Sequence, residues 1–216
     1  RDTPYQITDE SNNTWVYYFD RDGIMQTEYW YPREVGIWSY FDKDGHMVYG
    51  WNQIAYDQKD YQTHYFDSEG IELVGWQKID GKWYYFDKNG NSLKKMRSVA
   101  GKYYYFHARK GYMLKNVRYT NSNDDVYYFG SNGVMVRDVF YTWSGNGEKH
   151  TYYFTSNGKM CRSWLTLKNK KYCFDEDTGI MYKDCTVKIN GKSCTFDKNG
   201  VYLTPAQAAA KKKGKK

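Results

Sequence analysis

Nine phenylalanines close nine aromatic runs: Phe19, Phe41, Phe66, Phe86, Phe106, Phe129, Phe154, Phe174 and Phe196, spaced 20 to 25 residues apart. Each is followed four or five residues later by a glycine, from Gly23 and Gly45 through Gly179 and Gly200. A Met or Leu comes next, read as Met25, Met47, Leu73, Leu93, Met113, Met135, Met160, Met181 and Leu203. A short period with fixed positions is the signature of a stacked repeat, in which one unit cannot bury its apolar face alone. The expected fold is all-β, a β-solenoid of about nine stacked β-hairpin repeats of 20–25 residues.

The unit from Gly75 to Gly90 carries the physics most plainly. Asp80-Gly81 is a two-residue hairpin signal, because a type I′ turn needs positive φ at both central positions. That turn sets Ile79 opposite Lys82, Lys78 opposite Trp83, Gln77 opposite Tyr84 and Trp76 opposite Tyr85. Alternation then places Trp76, Lys78, Trp83 and Tyr85 on one face, and Gln77, Ile79, Tyr84 and Phe86 on the other. A lone hairpin is marginal in water, so at least one of these faces must be buried against a neighbour.

The second turn, Asp87-Lys88-Asn89-Gly90, recurs at Asp20–Gly23, Asp42–Gly45, Asp67–Gly70 and Asp197–Gly200. One Asp per turn is Asx-turn chemistry, and the further oxygen ligands of a calcium loop are missing, so no metal is expected. Pro4, Pro32 and Pro205 are expected outside the hairpin strands, where a missing donor costs nothing.

Composition agrees with this reading: aromatic residues make up 20% of the 216, and 19 glycines supply turns. The formal charge of +7 is misleading. Lys211, Lys212, Lys213, Lys215 and Lys216 supply five of those charges, which leaves two for residues 1–210. The repeat body lacks the basic stripe that phosphate-backbone binding needs, so no nucleic-acid partner is expected. No apolar run is long enough to span a bilayer. No signal peptide is visible at Arg1, so the chain reads as a mature fragment or one module of a larger surface protein.

Four cysteines, Cys161, Cys173, Cys185 and Cys194, cluster in the last quarter. Such an even set fits one or two disulfides in an oxidising compartment, and buried free thiols are the alternative. Residues 1–13 read as a lead-in, 14–204 as a single elongated binding domain, and 205–216 as a basic tail, disordered or weakly helical.

Gly50-Trp51, Gly75-Trp76, the Trp83-Tyr84-Tyr85-Phe86 run and the Asp-x-x-Gly turn resemble the cell-wall-binding repeats of Gram-positive surface proteins. That family includes choline-binding modules, glucan-binding repeats of glucansucrases and the repeats of large clostridial toxins. The likeness extends from about Trp15 to Leu203. It implies ligand sites between consecutive hairpins: aromatic cages for choline, or rings stacked on sugar faces for glucan. The Tyr-Tyr-Phe-Asp spelling is closer to the glucan-binding and toxin repeats.

The resemblance also implies two ligand-contact positions. The Gly-Trp position reads Trp30, Trp51, Trp76, Met96, Val117, Val139, Trp164 and Cys185, with Trp30 needing a one-residue shift. The third residue before the closing Phe reads Trp38, Thr63, Trp83, Tyr103, Val126, Thr151, Lys171 and Ser193, taken from the next repeat in each case. Only Trp30 with Trp38 and Trp76 with Trp83 keep both aromatics, so ligand contact is expected mainly in the N-terminal half. Tyr85 and Tyr103 join the candidates, Gln53, Gln77 and Lys78 are candidate hydroxyl partners, and Trp143 is a candidate from the Gly-rich loop beside it. The competing reading makes the tryptophans core and the polar residues solvated.

No nucleophile elbow, phosphate loop or metal-spaced histidine set appears, so neither catalysis nor a cofactor is expected. The expected function is carbohydrate binding, α-glucan first, on a secreted or cell-surface bacterial protein. Choline or teichoic-acid anchoring, or a protein-interaction array, are the alternatives.

Overall fold

The computed structural model describes residues 4–34, 36–55, 61–145 and 148–213. Among them the strands pair into nine antiparallel sheets, each built on one hairpin. In chain order the hairpins are β1 (Tyr5–Thr8) with β2 (Thr14–Tyr17), β3 (Tyr29–Glu34) with β4 (Ile37–Phe41), and β5 (Gly50–Ala55) with β6 (Tyr61–Phe66). Next come β7 (Gly75–Ile79) with β8 (Lys82–Phe86), β9 (Lys95–Val99) with β10 (Lys102–Phe106), and β11 (Val117–Thr120) with β12 (Val126–Phe129). Last are β13 (Val139–Gly145) with β14 (Glu148–Phe154), β15 (Ser163–Leu167) with β16 (Lys170–Phe174), and β17 (Thr186–Ile189) with β18 (Lys192–Phe196) and the short β19 (Tyr202–Leu203). One helix follows, α1 (Pro205–Lys213). The lead-in thus contributes β1, and most of the tail is helical, one of the two states its sequence allows.

The described residues up to Arg97, with Tyr105–Met113, form one compact unit; Ser98–Tyr104 and the residues from Leu114 onward form a second. The same rule stacks hairpins inside each. After the closing Phe the chain turns and bridges back to it six or seven residues later, as in Phe41↔Met47, Phe66↔Glu72 and Phe154↔Met160. The bridging residue then donates its N–H to a carbonyl of the preceding hairpin, three residues before that hairpin's Phe. In the first unit these bonds are Met47 to Val16 (2.8 Å), Glu72 to Trp38 (2.8 Å), Ser92 to Thr63 (2.8 Å) and Met113 to Trp83 (2.6 Å). In the second they are Met135 to Tyr103 (2.8 Å), Met160 to Val126 (2.7 Å) and Met181 to Thr151 (2.8 Å). Backbone bonds therefore join neighbouring hairpins whatever their side chains.

The bridging position is not always the Met or Leu of the sequence period. In two repeats it holds Glu72 and Ser92, not Leu73 and Leu93, and in the last it holds Tyr202, not Leu203. The apolar residue is one place later because the bridge needs only a backbone N–H.

The closing phenylalanines are the core. Phe41, Phe66, Phe86, Phe106, Phe129, Phe154 and Phe174 are fully buried and Phe196 nearly so, whereas Phe19 in the first hairpin is only half-buried. The β7/β8 register is the one that the Asp80-Gly81 turn dictates, with φ of 48° and 76° at those two residues. Ile79, Tyr84 and Phe86 are buried on the face assigned to them. The second turns are Asx turns: Asp87 Oδ1 accepts from the N–H groups of Asn89 (2.8 Å) and Asn91 (3.0 Å), and Asp42 Oδ1 does the same for Asp44 and His46 (both 2.9 Å).

Pro32 departs from expectation. It lies within β3, opposite Trp38, at a register shift between Pro32 and Glu34. In a two-stranded sheet every strand is an edge, and a bulge there tolerates the missing donor. The expected disulfides are also corrected, since all four cysteines are free thiols. Cys173 and Cys194 are buried in one cluster with Phe196 and pack as small hydrophobes; burial pushes the Cys173 thiol up to about 11. Cys161 packs in a different cluster, against Tyr153 and Phe174.

Candidate functional site

The position opposite the residue before each closing Phe is the structural Gly-Trp slot. Trp30 faces Tyr40, Trp51 faces Tyr65, Trp76 faces Tyr85 and Trp164 faces Cys173. The chain reaches this slot in two ways. Where the entry is short, the residue just before the slot has positive φ, as at Gly50, Gly75, Lys95 and Ser163. Where one residue is inserted, the left-handed residue falls two places earlier, at Glu28, Asn116, Asp138 and Asp184. Each of these four donates its N–H to the carbonyl just after the hairpin's closing Phe (Asp42, Gly130, Thr155 and Asp197), at 2.8–3.1 Å. The insertion explains the shift at Trp30 and corrects three other readings: the slot holds Arg118, Phe140 and Thr186, not Val117, Val139 and Cys185.

An aromatic in the slot leans on the next hairpin's closing Phe at a nearly constant distance. Ring centroids are 6.1 Å apart for Trp30 and Phe66, 5.9 Å for Trp51 and Phe86, and 6.0 Å for Trp76 and Phe106. In the second unit they are 6.5 Å apart for Phe140 and Phe174 and 5.9 Å for Trp164 and Phe196. The slot residues are thus packed on one side and open on the other, with Trp51 and Trp164 both 40% exposed. They serve as stacking joints and leave aromatic surface open to solvent.

The two tryptophan pairs expected across repeats lie within single hairpins, Trp30 and Trp38 on β3 and β4, Trp76 and Trp83 on β7 and β8. Slot residue, third residue before the Phe, and the bridging residue of the following hairpin together make a corner. The first unit has Trp30/Trp38/Glu72, Trp51/Thr63/Ser92 and Trp76/Trp83/Met113. The second has Phe140/Thr151/Met181 and Arg118/Val126/Met160.

Two corners open into clefts. One, of about 520 Å³, is lined by Trp30, Trp38, Glu72, Lys88 and Asn89. Its floor is fixed from below: Glu72 Oε1 lies 2.6 Å from His64 Nδ1, both side chains being buried, and Trp30 packs on Tyr40, whose hydroxyl burial holds above the usual phenol range. The other, of about 730 Å³, is lined by Trp164, Thr166, Lys171, Asn190, Lys192 and Tyr202, among others. It lies where aromatics were expected to fail. Trp76 and Trp83 meet at 83° with 6.3 Å between rings, a two-walled corner.

Of the remaining candidates, Tyr103 is exposed on β10, and Tyr85 packs on Trp76 at 5.2 Å. Gln77 is committed to its own entry loop, its Nε2 donating to the Val74 carbonyl at 2.8 Å. Lys78 and Gln53 are exposed strand residues facing Trp83 and Thr63. Trp143 is corrected: it lies in β13, stacked on Tyr152 at 3.8 Å and Tyr128 at 5.1 Å against a buried cluster, and so packs rather than projects. Asn146 and Gly147 of its loop lie outside the described residues. Sequence reasoning missed Glu72, Lys88, Asn89 and Tyr202, because each comes from a later part of the chain and only the stacking of hairpins brings it to a corner.

Asp42, Asp44 and His46 bring potential ligand atoms within 4.8 Å of one another, but the Asp42 carboxylate is already closing its turn. Among the described residues no helix is long and apolar enough to cross a membrane.

Residues 58–95, 73–117 and 93–140 match the choline-binding repeat, and 7–25, 36–47 and 147–160 match the cell wall binding repeat. The chain belongs to the choline-binding and cell-wall-binding repeat family. Over 192 residues, 88% of its length, it is 36% identical to glucosyltransferase-S of Streptococcus mutans serotype c, of which it spans 13%. Choline binding protein F of Streptococcus pneumoniae is similar in fold and sequence, at 29% identity and a TM-score of 0.71 over 89% of this chain and 62% of that one. The same protein in the presence of a peptidoglycan analogue gives 25% identity and a TM-score of 0.74 over 94% and 70%. Repeats of this family form binding domains, and the inter-hairpin corners are where this member offers open aromatic surface.

Proposed function

We propose that the chain is a non-catalytic carbohydrate-binding module of a secreted or surface-attached bacterial protein, with residues 14–204 acting as one binding domain for α-glucan. The Trp30/Trp38 cleft carries this reading. Two indole faces supply flat apolar surface for the CH face of a sugar ring, while Glu72, Lys88 and Asn89 offer hydroxyl partners of both hydrogen-bonding senses. The glucosyltransferase relative supports glucan as the ligand class. Weak sites along one chain combine into tighter retention by polymer, because each bound site raises the effective concentration of the next.

A second reading, choline on a wall polymer, is favoured by the Trp76/Trp83/Met113 corner, where perpendicular rings suit a quaternary ammonium held by cation–π attraction. Affinity electrophoresis in dextran, starch or glycogen, run beside a choline column, tests the two. Retardation in glucan gels is expected; retention by choline alone would overturn the glucan reading.

A further inference from the structure

We infer that the C-terminal cleft is a separate subsite for an anionic carbohydrate-like polymer segment, in which a phosphate or carboxylate sits beside a sugar or polyol face. The cleft occupies the same place in its hairpin as the two tryptophan corners, but its chemistry is reversed. Trp164 fills the slot and Tyr202 takes the bridging position, their rings 5.3 Å apart at 88°, so stacking surface is retained. The wall that is Trp38 or Trp83 elsewhere is Lys171, opposite Thr166 on the exposed face of β15/β16.

A cation in place of an indole removes one wall of a cation cage and repels a quaternary ammonium directly. Lys192 of the next hairpin, at the turn through Asn190, brings a second ammonium to the same cleft. No acidic residue lines it, whereas the Trp30/Trp38 cleft contains Glu72. Neither lysine forms an ion pair among the described residues. Asn190, Ser193 and Thr166 add neutral partners for hydroxyls.

The rim adds to this polarity. Pro205 lines the cleft and opens α1, whose first turn is fixed by a capping box: Gln207 Oε1 accepts from the Thr204 N–H at 2.9 Å, and the Gln207 N–H donates to Thr204 Oγ1 at 3.4 Å. The positive end of the helix dipole thus lies at the mouth of a cleft lined by two lysines that form no ion pair among the described residues. Ammonium groups bind phosphate and carboxylate oxygens by charge-assisted hydrogen bonds while the rings hold the adjoining carbon face.

The inference takes from the proposed function only the use of inter-hairpin corners as ligand sites, and neutral-glucan binding at Trp30 and Trp38 can be followed separately. The test follows the Trp164 indole N–H by NMR, assigned with Trp164→Phe, during titration of the full chain with poly(glycerol phosphate), polygalacturonate, dextran and inorganic phosphate. Saturable shifts are expected with at least one of the two anionic polymers, and which one distinguishes a phosphodiester from a uronate. K171Q/K192Q, at two exposed strand positions, is expected to weaken that binding by about tenfold or more and to leave retardation in dextran gels unchanged. Lys171→Trp, which rebuilds the wall, is expected to lose the anion. Equal response to dextran and both anionic polymers, wild-type affinity in K171Q/K192Q, or inorganic phosphate matching the polymers would each overturn the inference.

Discussion

Glu72 and His64 form a buried pair, Oε1 to Nδ1 2.6 Å, at two positions that Met160 and Tyr152 occupy in another repeat. Removing one partner strands the other's polar group in the core. Glu72→Met alone is expected to cost about 2–4 kcal/mol, whereas His64→Tyr with Glu72→Met restores the apolar arrangement and is expected to be neutral or stabilising. Urea unfolding of both single variants and the double variant measures the coupling; additive losses would contradict it.

Gly90 and Gly81 share a left-handed backbone, φ 73° and 76°, yet differ in what surrounds them. A Cβ on Gly81 meets open space, so Gly81→Ala is expected to cost about 1–2 kcal/mol for backbone strain alone. A Cβ on Gly90 lands on the Glu72 carboxyl, which is held by His64 and has little room to move. Gly90→Ala is expected to cost about 3 kcal/mol or more, since overpacking adds to the strain. Thermal midpoints of the two variants compare them directly.

Trp38 and Trp83 are exposed at 37% and 43%, while Trp30 and Trp76 also brace the next hairpin. Trp38→Ala and Trp83→Ala are therefore expected to weaken glucan binding by about 1–2 kcal/mol with little change in stability. Trp76→Ala is expected to reduce both, and Trp164→Ala to spare neutral-glucan binding. Gel retardation coefficients in dextran, read beside melting curves, separate the two effects.

Burial, with the Asp138 carboxylate accepting its hydroxyl at 2.7 Å, pushes Tyr153 up to about 12. The folded chain therefore holds this proton more tightly than the unfolded chain, whose tyrosines titrate near 10. The stabilisation is complete below about pH 10 and is lost as pH rises toward 12. Urea midpoints are expected to fall across that window, less steeply in Tyr153→Phe.

Strand pairing and faces were legible wherever a turn announced itself, as at Asp80-Gly81, because a two-residue I′ turn leaves one register. The slot could not be read at Arg118, Phe140 and Thr186, because an inserted residue is absorbed by left-handed φ at Asn116, Asp138 and Asp184, and Asn and Asp give no sign distinguishing that use from an ordinary turn. The clefts were half legible. Their tryptophans follow the repeat, but Glu72, Lys88 and Tyr202 arrive through stacking between hairpins, which no local pattern encodes. The cysteines misled because even number and clustering describe a disulfide set and a thiol-packed core equally well.

The N–H to carbonyl bond between neighbouring hairpins, about 30 residues apart in sequence, uses no side chain. Assembly through this bond is therefore separable from recognition, even where a slot residue such as Trp76 also braces the next hairpin. At the proposed sites, an exchange of indole for lysine alters what a corner accepts, and the backbone joint uses neither side chain. Selection on such a chain can edit its ligands one hairpin at a time, and the contrast between the Trp38 and Lys171 corners is what that editing would leave behind.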